Sequence, residues 1–425
     1  MLDLRFIRDN IELVRQNIIN KNESARIDSI LELDEKRRKI IQEVEKLKNQ
    51  RNVVSKEIAD LKKQKLEADD KIAAMKEVSD KIKELDDELR NVETDIEKVV
   101  LYIPNMIGPN VPIGKSAADN ETVRTYGEKA ELKIKRNHID IARALNIIDF
   151  ERGAKVSGGG FAFYRGKGAK LERALINFMI DYHLENHNYT ELLPPFIVNE
   201  NSMFGTGQLP KMSEDMYHAK EDNMYLIPTA EVPITNYHNG EVLNVNELPI
   251  KYCGYSPCFR REAGSYGKEV RGFLRVHQFN KVEMVNFVKP ETSWDQLEIL
   301  LNEAEDIVKA LGLHYRVLRL CSGDTSFSSS MTYDIEVWSP GEEMWLEVSS
   351  CSNFTDFQAR RAGIRFKRDP NSKPEFVHTL NGSGLATSRI MVAMLEQYTD
   401  EAGNFNVPGV LVPYCGFDKI ELSTL

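Results

Sequence analysis

Between Leu33 and Val99 apolar residues return in alternating steps of three and four, broken once. The first series runs from Leu33 through Ile40, Val44, Leu47 and Val54 to Leu61. The second runs from Ile72 through Met75, Ile82, Leu85 and Val92 to Val99, after a polar turn near Glu67-Ala68-Asp69-Asp70. A heptad seam on each side of one short turn dictates two helices that zip together as an antiparallel coiled coil. Each arm holds about 30 residues and so runs about 45–50 Å. A shorter amphipathic helix is expected before it, from about Asp3 to Lys21.

The two arms differ in charge. Asp34 to Lys65 carries eleven Lys and Arg against six acids, and Glu67 to Lys98 carries six against twelve. Periodicity alone is met by a solvated coiled coil used for oligomerisation. A long rod with one basic side also suits double-stranded RNA, which proteins contact through shape, phosphates and 2′-hydroxyls.

The segment Tyr102 to Asn120 (YIPNMIGPNVPIGKSAADN) is rich in Pro and Gly and cannot continue the helix, which makes it the linker. The division expected is 1–110 for the arm and 111–425 for a second domain, and 425 residues suffice for both. No apolar run approaches the roughly 20 residues of a membrane span, and MLDLRFIRDNIELVRQ lacks the apolar core of a signal peptide. The five cysteines are odd in number and form no CxxC pair, as expected of reduced thiols in a cytoplasmic protein. The eight histidines show no HExxH or Cys/His cluster, so no protein-held zinc is expected. A net charge of −10 argues against indiscriminate nucleic-acid binding.

Chemistry concentrates between Cys258 and Glu283 (CFRREAGSYGKEVRGFLRVHQFNKVE). The pattern predicts a strand, a loop bearing Gly264, Gly267 and Gly272, and an antiparallel return strand FLRVHQFNKVEMVNFV. On such a pair Arg275, Phe279 and Glu283 share one face, and Arg260 and Glu262 share a face of the partner. Guanidinium forks match phosphate oxygens, an aromatic ring stacks on a nucleobase, and carboxylates accept from an amine or hydroxyl. One such pair is an ordinary surface salt bridge; five ligand-type groups on two strands point to a nucleotide site.

Other segments carry weaker signals. In SGGGFAFYRGKG the spacing from Gly160 to Gly166-Lys167 is one residue too long for a phosphate loop of the Walker type, and Gly168 stands where Ser or Thr would hold magnesium. A turn with two short strands before a helix Ala169–His187 is expected instead. PTAEVPITN places Thr229 and Glu231 where both can grip an ammonium group. YDIEVWSPGEEMWLEVSS reads as two strands around Pro340-Gly341, with Glu347 and Ser350 as oxygen donors fit for a hard cation such as Mg²⁺. In LNGSGLATSRIMVAMLEQY, Gly382 and Gly384 allow close backbone approach, and Arg389 falls in the first turns of a buried helix, where phosphate is favoured.

FRxE, a loop and RxxxFxxxE resemble motif 2 of the class II aminoacyl-tRNA synthetases, and the full wording resembles the seryl-tRNA synthetases. The helix followed by NYTELLPPFIV resembles motif 1, with Pro195 as the motif proline and Asn188 in place of the usual glycine. LNGSGLATSR resembles motif 3, with Thr387 and Ser388 departing from the common GLAVGR. The resemblance implies an α+β protein: an antiparallel coiled-coil helical hairpin followed by a class II antiparallel sheet with flanking helices. It further implies a homodimeric ligase that activates L-serine with ATP and Mg²⁺ and charges tRNA(Ser), engaged by the arm, and tRNA(Sec) where present. In that family Arg260 holds the α-phosphate and the serine carboxylate, and Arg389 and Arg275 reach the γ-phosphate. Arg261, Glu262, Val276 and Phe279 complete the ATP site of motif 2, with Glu262 reading the adenine amino group. Glu347, Val348, Ser349 and Ser350 add to it, and Glu347 and Ser350 take the metal. Thr229, Ala230, Glu231, Glu283 and Ser383 surround serine together with Arg260, with Glu283 as hydroxyl reader. An enzyme loading a carrier protein would share these motifs but lack the arm, and a coiled-coil adaptor would leave Arg260, Phe279 and Arg389 unexplained.

Overall fold

The computed structural model describes residues 1–263 and 272–422. Gly264 and Gly267 of the expected loop lie outside the described residues. The chain divides into two compact units, one formed by Leu2–Ile19 and Glu23–Pro104, the other by Met1, Asn20–Asn22 and Asn105–Leu425.

In the first unit, α1 (Leu4–Asp9) and α2 (Ile11–Asn20) replace the single short helix expected there. Asn10 leaves helical geometry at φ −131°, while its side-chain amide donates to the Phe6 carbonyl. The hairpin follows as α3 (Ile27–Lys63) and α4 (Asp69–Val100). Its seam is buried at Ile40, Val44, Ile82, Leu85, Val92 and Ile96, and opens toward the turn, where Ile72 is 39% exposed. Lys36–Glu88, Arg37–Glu93, Lys48–Asp86 and Lys71–Glu57 pair the basic helix with the acidic one. Exposed pairs of this kind contribute about 0–1 kcal/mol each, so the apolar seam carries most of the stability. Asp34, buried in α3, accepts from Arg8 of α1 at 3.2 Å and pairs with Arg38 at 3.3 Å.

The second unit is built on an eight-stranded sheet. Its strands are β1 (Glu121–Tyr126), β2 (Thr190–Glu191), β3 (Ile250–Phe259), β4 (Gln278–Val288), β5 (Tyr315–Arg319), β6 (Met331–Ser339), β7 (Met344–Asn353) and β8 (His378–Ala386). They lie in the order β1-β5-β6-β7-β8-β4-β3-β2. Every pairing is antiparallel except β2 with β3. Helices α5 (Lys167–His187), α6 (Ser293–Ala310) and α7 (Thr387–Tyr398) pack on it. Alternation sorts the two faces. Val282 and Met284 of β4, Ile335 and Val337 of β6 and Cys351 of β7 join Leu297 and Leu301 of α6 in the core. Their neighbours Phe279 and Lys281, Thr332 and Asp334, Ser350 and Ser352 face a cavity instead. Asn188 ends α5 in the left-handed region, φ +58°, a conformation Asn tolerates where glycine is usual.

The expected strand pair is shorter than its apolar pattern. β3 ends at Phe259 and β4 starts at Gln278, so Arg260, Glu262 and Arg275 stand just beyond the ladder. Arg260 N–H still donates to the His277 carbonyl at 3.0 Å. The Arg261 and Ala263 N–H groups then turn to the carbonyl and carboxylate of Asp215. That contact pulls the chain off its partner and puts Glu262 at φ +50°.

Candidate active site

One cavity of about 600 Å³ opens on the polar face of the sheet, where β4, β6, β7 and β8 meet the turn before Glu231 and the segment that follows β3. Around Phe279 the groups are cationic. The Arg260 guanidinium lies 5.2 Å from the Phe279 ring centroid and its Nε donates to the Pro228 carbonyl at 3.3 Å. Such a cation over an aromatic face is worth about 0.5–2 kcal/mol and fixes both. Arg275 pairs with Glu262 at 3.0 Å. Arg389, third residue of α7, is held by the carbonyls of Leu274 (3.1 Å) and Glu347 (3.0 Å).

Around Glu283 the groups are buried and polar. Thr229 and Glu231 lie in a turn that leads into a short helix, Glu231–Asn236. Thr229 Oγ1 donates to Glu283 Oε2 at 3.2 Å, Lys281 Nζ reaches the same oxygen at 2.6 Å, and Asn381 Nδ2 donates to Oε1 at 3.0 Å. Glu231 accepts from Gln358 Nε2 at 2.6 Å, and Thr379 fixes that amide from behind at 2.7 Å. Burial and then the nearby Glu283 push the Glu231 carboxyl up to about 7, because two carboxylates in a dry site resist double ionisation.

A third wall is acidic. Asp334 faces Ser350 across the β6–β7 ladder, with Glu347 beside them in the same strand as Ser350. Asp334 is half-buried, its enclosed Oδ1 has no hydrogen-bond partner among the described residues, and desolvation followed by Glu347 drives its carboxyl well above the ordinary range.

The cavity thus gathers Arg260, Glu262, Arg275, Val276, Phe279 and Arg389 with Thr229, Glu231 and Ser383, and also Glu347, Val348 and Ser350. Four expected site residues stand elsewhere. Arg261 is exposed, Ala230 and Glu283 are buried behind the wall, and Ser349 turns its hydroxyl to the Ser383 carbonyl at 2.6 Å. Gly382 and Gly384 do allow close approach, but of Cys351 and His183 respectively. Lys281, Asn381, Gln358 and Asp334 escaped the sequence reading. Lys281 was reachable, since it shares a strand face with Phe279 and Glu283, whereas the others depend on strand register.

Away from the cavity, His138, Glu342 and Glu396 come together as a group that could hold a metal. The Phe273 N–H donates to His138 Nε2, so Nδ1 carries the proton toward Glu396 Oε1 at 3.3 Å. Glu396 also accepts from Ser339 and from the Gly341 N–H. The group is satisfied as a hydrogen-bond node.

The seryl-tRNA synthetase N-terminal domain matches residues 1–107, and the class II tRNA synthetase core domain (G, H, P, S and T) matches residues 214–398. The serine–tRNA ligase of Geobacter sulfurreducens is 54% identical over 417 residues, covering 98% of this chain and 99% of the relative. The chain belongs to the seryl-tRNA synthetase family. The serine–tRNA ligase of Chloroherpeton thalassium is 55% identical over 426 residues, covering 99% and 100% of the two chains. The crystal structure of seryl-tRNA synthetase from Pyrococcus horikoshii complexed with ATP superposes with a TM-score of 0.93 at 36% identity, covering 100% of both chains. Family membership accounts for both units, the helical hairpin and the antiparallel sheet with its cavity.

Proposed function

We infer that this protein activates L-serine with ATP to seryl-adenylate and pyrophosphate, then transfers the seryl group to the 3′ end of tRNA(Ser). The observation that carries the reading is the joining, in one cavity, of the Arg260–Phe279–Arg389 group to the buried polar group at Thr229, Glu231 and Lys281. The first suits a nucleotide triphosphate. The second suits a small zwitterion with a hydroxyl.

The serine carboxylate attacks the α-phosphorus and pyrophosphate leaves, so no protein nucleophile is needed. Arg260 bridges the carboxylate and the α-phosphate, aligning the attack and offsetting the charge that builds there. Phe279 and Arg389 sandwich adenine, Glu262 accepts from its amino group, and Arg275 turns from Glu262 to the terminal phosphates. Glu231 takes the serine ammonium. Thr229, Ser383 and Asn381 meet the side chain, with Glu283 holding Thr229 and Asn381 in place. Glu347 and Ser350, backed by the partnerless oxygen of Asp334, are oxygen donors that fit Mg²⁺. Held there, the ion would supply charge neutralisation to the reaction.

The hairpin receives the tRNA, a role supported by the N-terminal domain match and by the basic helix α3. A homodimer formed through α5 and the Pro195 segment, and a cytoplasmic setting with the five buried free cysteines reduced, complete the reading. No helix among the described residues is long and apolar enough to cross a membrane. Serine-dependent exchange of pyrophosphate into ATP without tRNA, followed by charging of bulk tRNA, is the test. Exchange supported by threonine or alanine but not by serine overturns it.

A further inference from the structure

Helix α5 buries two ionisable side chains that the reaction does not use. Glu172 and His183 are eleven residues apart, about three turns, and therefore lie on one helix face about 16 Å from each other. They are 4% and 0% exposed, and neither lines the cavity. Burying such groups is costly unless they are hydrogen-bonded, and among their partners Asn280, Thr387 and Gly384 each stand next in sequence to a cavity residue.

Glu172 Oε1 accepts from Asn280 Nδ2 at 2.7 Å and from Thr387 Oγ1 at 2.6 Å. Asn280 follows Phe279 on β4, and Thr387 opens the helix that carries Arg389. One carboxylate therefore ties together the two segments that hold the adenine sandwich. His183 Nε2 lies 3.1 Å from the Gly384 carbonyl, so this nitrogen carries the proton and Nδ1 accepts from His187 at 2.9 Å. Burial and then His187 hold the His183 pKa down at about 3, which keeps it a neutral donor. Gly384 follows Ser383, and a Cβ at Gly384 would stand 2.4 Å from His183 Nε2, so β8 is seated on the imidazole. Between the two, Met179 takes the Leu385 N–H on its sulfur at 3.2 Å.

We propose that α5 aligns the two halves of the active site separately, with Glu172 the positioning residue for the nucleotide half and His183 for the serine half. The inference rests on the assignment of Phe279 to adenine and Ser383 to serine. A helix needed only for folding would move both substrates' constants together. A helix that positions the halves moves them one at a time.

The test is pyrophosphate exchange with ATP and serine varied independently. Phe279→Ala and Ser383→Ala serve as controls for which KM each half governs. Glu172→Leu and Thr387→Val should each raise the KM for ATP roughly tenfold, the scale of one lost buried hydrogen bond, with the KM for serine within about twofold. His183→Phe keeps the ring but loses the donor, and should do the reverse. His183→Gln, whose amide reaches the Nε2 position, and Glu172→Gln, which keeps an acceptor oxygen, should restore most of the loss. If Glu172→Leu does not fold, Thr387→Val carries the nucleotide arm. If His183→Phe does not fold, His183→Asn, too short to reach Gly384, replaces it. Parallel movement of both constants, or a lower Tm with both constants unchanged, overturns the inference. Controls that fail to split overturn the assignment of the two halves, and this inference with it; controls that split while the α5 variants do not overturn this inference alone.

Discussion

Lys281 holds Glu283 as a buried ion pair, 2.6 Å from Nζ to Oε2, with side chains 8% and 0% exposed. The carboxylate is thus spoken for on both oxygens, by Lys281 and Thr229 on one and Asn381 on the other. In the proposed reading it selects serine by presenting those three groups to the cavity in one fixed arrangement. Glu283→Gln leaves the ammonium buried without its counter-charge, a loss of about 3–5 kcal/mol for such pairs. Exchange kinetics should show kcat/KM for serine down at least about 100-fold, the KM for ATP within about threefold, and a narrower gap between serine and alanine. An unchanged preference for serine over alanine sinks this role.

Glu231 gives the enzyme a pH dependence of defined sign. Its carboxyl is pushed up to about 7 from an ordinary 4.5, so it is protonated below neutrality and then cannot pair with an ammonium. The kcat/KM for serine should fall about tenfold per unit as pH drops below about 7. Stability runs the other way: a raised carboxyl pKa favours the folded state below about 4.5, and that contribution is lost as pH rises through about 7. Glu231→Gln should flatten both profiles, as exchange assays and melting curves from pH 6 to 8 would reveal.

Arg260 is the group asked to align two anions at once. Arg260→Lys keeps the charge but loses the planar fork, and it also loses the stacking on Phe279. The expected outcome is a fall in kcat of about 100-fold or more with the KM for ATP changed only a few-fold, read by single-turnover adenylate formation.

What was legible in the sequence was whatever depends on local spacing. The heptad seam fixed both long helices and the turn between them. The alternation around Phe279 placed one face of β4 on the site, and the motif wording placed α7 and Arg389. The strand ends were not legible, because Asp215, remote in sequence, captures Arg261 and Ala263 and ends the ladder early. Nor was Asp334: its place opposite Ser350 is a matter of register between β6 and β7, which no single segment encodes. Glu172 stands in the helix whose resemblance is to motif 1, and its partners Asn280 and Thr387 lie 108 and 215 residues away.

Chelation of divalent metal should abolish exchange while leaving the hairpin's helical signal unchanged. Glu347→Gln should raise the Mg²⁺ concentration for half-maximal exchange several-fold. Asp334→Asn should do so to a lesser degree, since it stands behind the donors. Metal titrations of the exchange rate decide both, and unaltered Mg²⁺ dependence in Glu347→Gln removes it from the metal site.

Replacing Asp34 to Lys98 by a short turn should leave exchange within about twofold and reduce charging of tRNA at least about 100-fold. The seam of α3 and α4 closes on itself, although the cut also removes Asp34, the buried partner of Arg8 in α1. Charging should weaken with salt, as phosphate contacts release counterions, while exchange changes little. Loss of exchange together with charging would show that the hairpin is needed for the adenylate site.

The ion pairs across the hairpin give this arm a short electrical reach. Because Lys36, Arg37 and Lys48 sit against Glu88, Glu93 and Asp86, the positive and negative helices form a lateral dipole layer whose opposing fields largely cancel a few ångströms out. At physiological ionic strength, screening over about 8 Å removes most of what is left. On the proposed role of the hairpin, an RNA passing at a distance would feel little of that field, and one lying along the basic flank would feel most of it. Discrimination among a cell's many similar polyanions is thereby moved from long-range capture to contact, where a misfit leaves as fast as it came.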